Sequence, residues 1–370
     1  ITFEQCRAHI VPKKCKECGK CAEACPYNAI ADLMRPCKRS CPVDAITLDE
    51  DMIVVIDENK CISCGQCVIN CPFGAISDKS FMVDVIKLIN QGAKVYAMVA
   101  PAIEGQFGAD VSVGMIRQAI KALGFTDMYE VSLGADFVSK NEAEELAEHL
   151  KEGKKMTTSC CPAFVNMIKK HFPQVLDNMS TTVSPMTATG RIIKAMDPEA
   201  VCVFIGPCIA KKGEVIDSIT FGGADYALTY EELAGMFEAK EIDPADYDEE
   251  LQQGSKMGKN FSVSGGVTAC VLEVLKEENE DISVKVNKAN GALECKKALM
   301  MLKLGRLPED FIEGMACVGG CVNGPMMLNK SRTFMKDRNA QINKADDRTI
   351  LENVAKYDEL GINMTRGSVE

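Results

Sequence analysis

No apolar run in this chain approaches the ~18–20 residues that crossing a bilayer requires. The longest, VYAMVAPAI and AVCVFIGPCIA, stop far short. No secretory signal opens it, and no glycine-rich phosphate or dinucleotide loop is evident. Basic excess is lacking as well. A formal net charge of −11 argues against nucleic acid, which is gripped through a basic face. These absences predict a cytoplasmic chain with no membrane contact and no flavin or nicotinamide site of its own. The short basic segments KKCK and RPCKR remain as local patches for a docking partner.

What the chain has in quantity is cysteine: 19 in 370 residues. Disulfide frameworks belong mostly to small secreted domains with scattered cysteines. Here the cysteines sit in tight C-x-x-C groups, which reads as metal ligation. Cys15-x-x-Cys18-x-x-Cys21-x-x-x-Cys25-Pro26 is the bacterial ferredoxin run, and Cys61-x-x-Cys64-x-x-Cys67-x-x-x-Cys71-Pro72 is a second copy. Three thiolates two residues apart wrap one corner of a cubane, and the fourth, followed by proline, turns toward the other cluster. The spacing therefore predicts one 4Fe–4S cluster on Cys15, Cys18, Cys21 and Cys71 and another on Cys61, Cys64, Cys67 and Cys25. A zinc ribbon would use two C-x-x-C pairs, not two four-cysteine runs.

The phrase Cys-Pro-x-x-Ala-Ile occurs three times, as CPYNAI (25–30), CPVDAI (41–46) and CPFGAI (71–76). Its middle copy follows Cys37-x-x-x-Cys41, half of a cluster motif. With Cys6, these are three thiolates, one short of a cubane. They suit a third cluster with a ligand from elsewhere, or spare thiols in an inserted loop. Each Ala-Ile is expected to begin a short strand over its cluster. Residues 1–83 thus read as an α+β ferredoxin-like domain with an inserted cysteine segment.

From residue 84 to 370 apolar segments alternate with amphipathic ones. KVYAMVAPA (94–102), MTTSCCPA (156–163), AVCVFIGPC (200–208) and FIEGMACVGG (311–320) look strand-compatible. VGMIRQAIKAL, NEAEELAEHLKE and GGVTACVLEVLKEE read as helices between them. The alternation predicts an α/β domain with mainly parallel sheets in two lobes and a short helical tail. In such sheets the chemistry gathers beyond the carboxyl ends of the strands. Cys160, Cys161, Cys208, Cys317 and Cys321 fall there, and the last four make one more cubane set. Cys202, Cys270 and Cys295 lie within apolar or helical patterns and read as buried small hydrophobes.

These residues carry a resemblance. TSCCPAF (158–164), GPCIAKKGE (206–214) and MACVGGCVNG (315–324) resemble the three signatures of the FeFe hydrogenase catalytic domain. That family builds the H-cluster, a 4Fe–4S cubane joined by a cysteine to a diiron azadithiolate unit carrying CO and cyanide. The resemblance implies reversible reduction of protons to hydrogen with electrons from ferredoxin or another redox protein, and loading of the diiron unit by maturation proteins. It makes Cys161, Cys208, Cys317 and Cys321 the cubane ligands, with Cys321 bridging. Cys160 becomes the proton-donating thiol, and Lys211 a hydrogen-bond donor to cyanide. Met315, Ala100, Pro101 and Ala102 line the diiron site.

The same resemblance assigns Glu142 and Glu145, three apart on one helix face, and Ser180 to a proton channel ending at Cys160. His149 falls where the family often has arginine at the channel mouth. A solvated acidic helix face is the plainer account of an isolated E-x-x-E. Some residues depart from the family: Gly206-Pro207-Cys208 replaces Met-Pro-Cys, Phe164 replaces a frequent tryptophan, and Gly324-Pro325-Met326-Met327 replaces a glycine-rich run. The glycine at 206 is expected to open space over the diiron site, as in a divergent subgroup. Two rivals stand beside the enzyme: a hydrogen- or redox-sensing protein of the same fold, and an electron-transfer protein lacking the diiron unit.

Overall fold

The computed structural model describes the chain apart from residues 5, 6, 12, 13, 16–18, 28, 31–33, 218, 219, 221, 279–281 and 368–370. Cys6 and Cys18 lie outside the described residues. The large domain holds seven strands: β1 (Val95–Val99), β2 (Asp127–Glu130), β3 (Met156–Thr157), β4 (Val201–Gly206), β5 (Tyr226–Thr229), β6 (Val286–Asn290) and β7 (Phe311–Met315). They form two sheets, in the orders β2-β1-β4-β5 and β6-β7-β3, parallel throughout.

β1 and β4 read VYAMV and VCVFIG, nearly unbroken apolar runs. Such runs suit strands covered on both faces by crossover helices, and Val95, Ala97, Met98, Val203 and Ile205 are fully buried. The expected helices are present at Val113–Ala122 and Gly266–Glu277, and NEAEELAEHLKE is the second half of a 21-residue helix, Val131–Lys151. That helix begins directly after β2 and packs on the helix Pro185–Met196. It carries Glu142 and Glu145 toward the end of β3.

The helix Gly266–Glu277 starts at Gly265, which has no side chain to cap it. The cap comes from β7 instead. The buried carboxylate of Glu313 accepts from the Gly265 amide at 2.6 Å and from the Thr268 amide and hydroxyl at 2.8 and 2.6 Å. An anion at a helix N-terminus satisfies orphan amides and meets the helix dipole. This ties the helix to the strand that leads into Cys317.

At the front, short helices lie at Lys20–Glu23, Pro36–Arg39 and Gln66–Ile69, with hairpins at Thr2–Glu4/Arg7–His9 and Ile46–Leu48/Val54–Ile56. Among the described residues a strand begins within the middle Cys-Pro-x-x-Ala-Ile phrase, at Ile46, while 29–30 and 75–80 are irregular. The phrase serves a different purpose. The alanine amide four residues after the cysteine points back at its sulfur, at 3.2 Å for Ala45 on Cys41 and 3.3 Å for Ala75 on Cys71. Ala29 does the same to Cys25 and helps hold that thiol below its usual pKa.

The front is built into the large domain. Val43, Ala45 and Ile62 share a core with Phe164, Ile168 and Leu299. Lys170 donates to the carbonyls of Glu58 and Cys61, both at 2.7 Å, and Lys296 to that of Pro42 at 3.2 Å. Phe81, just before residue 84, already packs in the core of the first sheet. No helix among the described residues is long and apolar enough to cross a membrane.

Replacing Glu313 by alanine is expected to lower stability by ~2–4 kcal/mol, since three buried donors lose a charged acceptor. Glu313→Gln, which keeps the shape, should lose less. Chemical denaturation of the three proteins checks this, and equal midpoints would refute the cap.

Candidate active site

The carboxyl ends of both sheets open on one cavity. β1 delivers Ala100 and Pro101, β3 leads into Cys160 and Cys161, β4 into Cys208, and β7 into Met315, Cys317 and Cys321; all of them line a space of about 870 Å³. Burial and mutual repulsion push the Cys208 thiol up to about 11 and that of Cys321 up to about 12; that of Cys317 rises further. These three thiols cannot stay ionised together without a bound cation or cluster. Among the described residues, no three His, Cys, Asp or Glu side chains converge enough for a single metal ion. Thiolate donors spread around an apolar space fit an iron–sulfur cluster instead.

Cys160 stands beside this set, and burial, then Glu142, drives its pKa well up, so it is a thiol at neutral pH. Glu142 is fully buried; one carboxyl oxygen accepts from the Ser159 amide at 3.1 Å, and the other has no partner among the described residues. Burial lifts its pKa from 4.5 to about 8. The Ser180 hydroxyl donates to Glu145 at 2.6 Å, and the same serine lies close enough to Glu142 to act on it. Glu145, half-buried, also accepts from the Thr181 amide at 2.8 Å and the Thr182 hydroxyl at 3.3 Å. The four residues expected in the channel therefore come together in order, from half-exposed to buried. His149 does not join them: its Nδ1 meets the Glu145 main-chain carbonyl at 2.9 Å.

At the front, the second cysteine run has a thiol neighbour from the middle Cys-Pro phrase. Cys41, not Cys25, is the thiol whose charge acts on Cys64 and Cys67, together with Cys61. The groups acting on Cys25 are the backbone amides of Ala29, Tyr27 and Ile30. Ser40, beside Cys41, bonds to the Gln66 carbonyl at 3.3 Å and joins the two short helices. This sets the middle Cys-Pro phrase, inside the expected insertion, beside the second cysteine run. Cys37 is buried, Cys15 exposed, and Cys21 and Cys71 half-buried. Cys64 also lines the main cavity and acts on Cys317, so the front thiols and the cavity thiols are neighbours. Cys202, Cys270 and Cys295 are fully buried in the core, as expected.

Residues 93–325 match the family described as "Iron only hydrogenase large subunit, C-terminal domain". The chain belongs to the iron-only hydrogenase family. Residues 8–31 match a 4Fe-4S binding domain and 31–82 the LdpA Fe-S cluster-binding domain. The chain is 31% identical to Iron hydrogenase 1 of Clostridium pasteurianum over 84% of its own length, and spans 63% of that protein. It is 30% identical to the periplasmic Fe hydrogenase large subunit of Nitratidesulfovibrio vulgaris, over 66% of this chain and 72% of that one. A solved FeFe hydrogenase from Chlamydomonas reinhardtii superposes with a TM-score of 0.60 at 20% identity, over 75% of this chain and 93% of that one, a likeness of fold. Weaker similarity, 25% over 61% of this chain and 58% of the other, reaches the cytosolic Fe-S cluster assembly factor NAR1 of Kluyveromyces lactis.

Within this hydrogenase family the chain departs in ways the structure explains. A side chain at Gly206 would start 2.5 Å from the Phe204 ring and 3.0 Å from Ala100. The glycine therefore opens no space: Phe204 fills it and itself lines the cavity. Ala102 is not on the cavity wall but buried in the core of the first sheet. Phe164 is also core, with its ring where a side chain on Gly314 would go. Lys211 lines the cavity, but two of its three N–H groups are taken, by Ser184 at 2.7 Å and Glu214 at 2.6 Å. The sequence reading passed over Phe204, Ser184, Glu214, Thr181 and Thr182. The run TTVS after Ser180 was the available signal for three of them.

Two outcomes are expected. Cys41→Ser should lose about four irons and the paramagnetic signal of the cluster nearest the cavity, while Cys25→Ser keeps that signal; the reverse pattern would restore the original pairing. Glu142 binds a proton when folded that it has released when unfolded, so its burial costs stability progressively as pH rises from 4.5 toward about 8. Melting curves of Glu142→Gln against the native chain should coincide near pH 4.5. They should separate by ~4 kcal/mol in the variant's favour near pH 8, and parallel curves would mean the carboxyl is not buried as described.

Proposed function

We propose that this chain is a hydrogenase that interconverts protons and molecular hydrogen, exchanging electrons with a ferredoxin-type partner through its front iron–sulfur clusters. One observation carries the reading: Glu145, Ser180, Glu142 and Cys160 follow one another from the half-exposed helix face to a cavity ringed by four thiols. When bound, a cubane joined to a diiron unit with CO and cyanide supplies the redox chemistry.

The chain's own residues do the rest. Cys161, Cys208, Cys317 and Cys321 would hold the cubane, with Cys321 as the bridge to the diiron unit. Cys61, Cys64, Cys67 and Cys41 would hold the neighbouring front cluster, from which electrons need cross only the short gap between Cys64 and Cys317. Glu145 takes a proton from solvent, and the Ser180 hydroxyl, donor to one carboxyl and neighbour of the next, passes it inward. Glu142 suits the relay because its pKa, about 8, lies near working pH and lets it gain and lose the proton readily. Cys160 then keeps a proton on Sγ at the cavity wall, since burial disfavours its thiolate. Lys211, fixed by Ser184 and Glu214, offers a positive charge to an anionic ligand. Ala100, Pro101, Met315 and Phe204 keep the space apolar and exclude water.

The test is hydrogen evolution from a reduced dye after anaerobic loading with the diiron unit, comparing the native chain with Cys160→Ala. Infrared CO and cyanide bands establish loading in both. A fall of ~10²–10⁴-fold in the variant is expected. Bands in both without hydrogen from either would favour the sensor. Failure to acquire the bands at all would favour an iron–sulfur scaffold, a reading supported by the similarity to the cluster assembly factor.

A further inference from the structure

The end of the chain lies against the proton route. Thr365 forms an antiparallel bridge with Thr182, the Val183 amide donates to the Met364 carbonyl at 2.8 Å, and the Arg366 amide to the Thr181 carbonyl at 2.7 Å. Arg191 fastens the segment from the other side, donating to the carbonyls of Asn363 and Thr365 at 2.6 and 2.9 Å. The Arg366 guanidinium then forks. Its Nε donates to the Thr182 carbonyl at 3.1 Å and its Nη2 to the Ser159 carbonyl.

Those two carbonyls belong to the two strands of backbone that build the relay. The Ser159 amide holds Glu142, and Ser159 precedes Cys160. The Thr182 amide bonds to the Ser180 hydroxyl at 3.1 Å, and its own hydroxyl reaches Glu145. A planar guanidinium with five fixed donors can bridge two such acceptors, which a lysine ammonium on a flexible stem does poorly. His149, at the position where the family often has arginine, is turned to a main-chain carbonyl. Arg366 is the cation whose charge acts on Glu142.

We infer that Arg366 is a positioning residue for proton entry: its guanidinium ties the Ser159 and Thr182 backbones together around Glu142 and provides the positive charge that carboxyl faces. The far end of the chain is then a working part of the route. The inference rests on the relay reading above. Glu142 is acted on by burial and Glu145, which raise its pKa, and by the Ser159 amide, Arg366 and Ser180, which lower it. Cys160, the other titratable neighbour, stays protonated. Taking Arg366 away leaves burial and Glu145 less opposed.

The test uses the full chain carrying its iron–sulfur clusters but no diiron unit, so that no hydrogen chemistry enters. The infrared stretch of the protonated Glu142 carboxyl, identified by its loss in Glu142→Gln, is followed against pH. In Arg366→Gln the midpoint is expected to move to higher pH, a fall of about tenfold in the acid constant. Arg366→Lys keeps the charge but not the fork. Its midpoint is expected to stay near the native one, while amide hydrogen exchange over 158–160 and 181–183 quickens about tenfold. An unmoved midpoint in Arg366→Gln overturns the charge role, and unchanged exchange in Arg366→Lys overturns the positioning role. If Arg366→Gln does not fold, the lysine variant's exchange decides alone. A loaded native protein that makes no hydrogen would sink the hydrogenase reading and leave these infrared results standing.

Discussion

Four thiols pressed together out of water are the constraint on which the rest of this structure depends. Cys161, Cys208, Cys317 and Cys321 come from three different strand ends in two sheets, and burial, with the neighbouring thiols adding to it, keeps Cys208, Cys317 and Cys321 from ionising readily. A parallel strand delivers its carboxyl end to one rim, so two parallel sheets can pool their loops in one place. The rigid supports follow from that demand. Glu313 anchors the strand leading to Cys317, and Phe164 packs behind the same strand. The ligand turns are held from below while their sulfurs stay free to bind.

The proton route obeys the opposite logic. A buried carboxyl with a free oxygen and a raised pKa is costly, and Glu142 tolerates its site because neighbours offset part of the burial. The hydrogen bond it accepts from the Ser159 amide places it one residue from the thiol that faces the cavity. Ser180 and Glu145 then bring the path out along one face of a single helix and the strand beside it.

Much of this was legible before any coordinates. The apolar runs of β1, β4 and β7, and the cysteines that follow β3, β4 and β7, marked the two-sheet fold and its chemical rim. Glu142, Glu145, Ser180 and Cys160 were readable through the resemblance. What escaped was whatever depends on contacts distant in sequence. That Cys41 lies beside Cys64 could not be seen in spacing, because Cys25 follows the same Cys-Pro rule and only the packing of two short helices brings Cys41 there. The role of Gly206 was misread because a missing side chain says nothing about the neighbour, Phe204, that leans into its place. Short strands such as Tyr226–Thr229 and Val286–Asn290 have weak local signals and exist through their pairing.

The position of Cys64 bears on how such proteins can be cut and rejoined. It belongs to the front domain by sequence, yet it is part of the wall of the central cavity, and the adjoining Gly65 leaves no room for a side chain against Ile209 and Pro325. The front is therefore not a detachable cassette. A graft or truncation at residue 83 would breach the chamber as well as sever the wire, and lineages that shed or exchange this module must reseal that wall with residues from elsewhere.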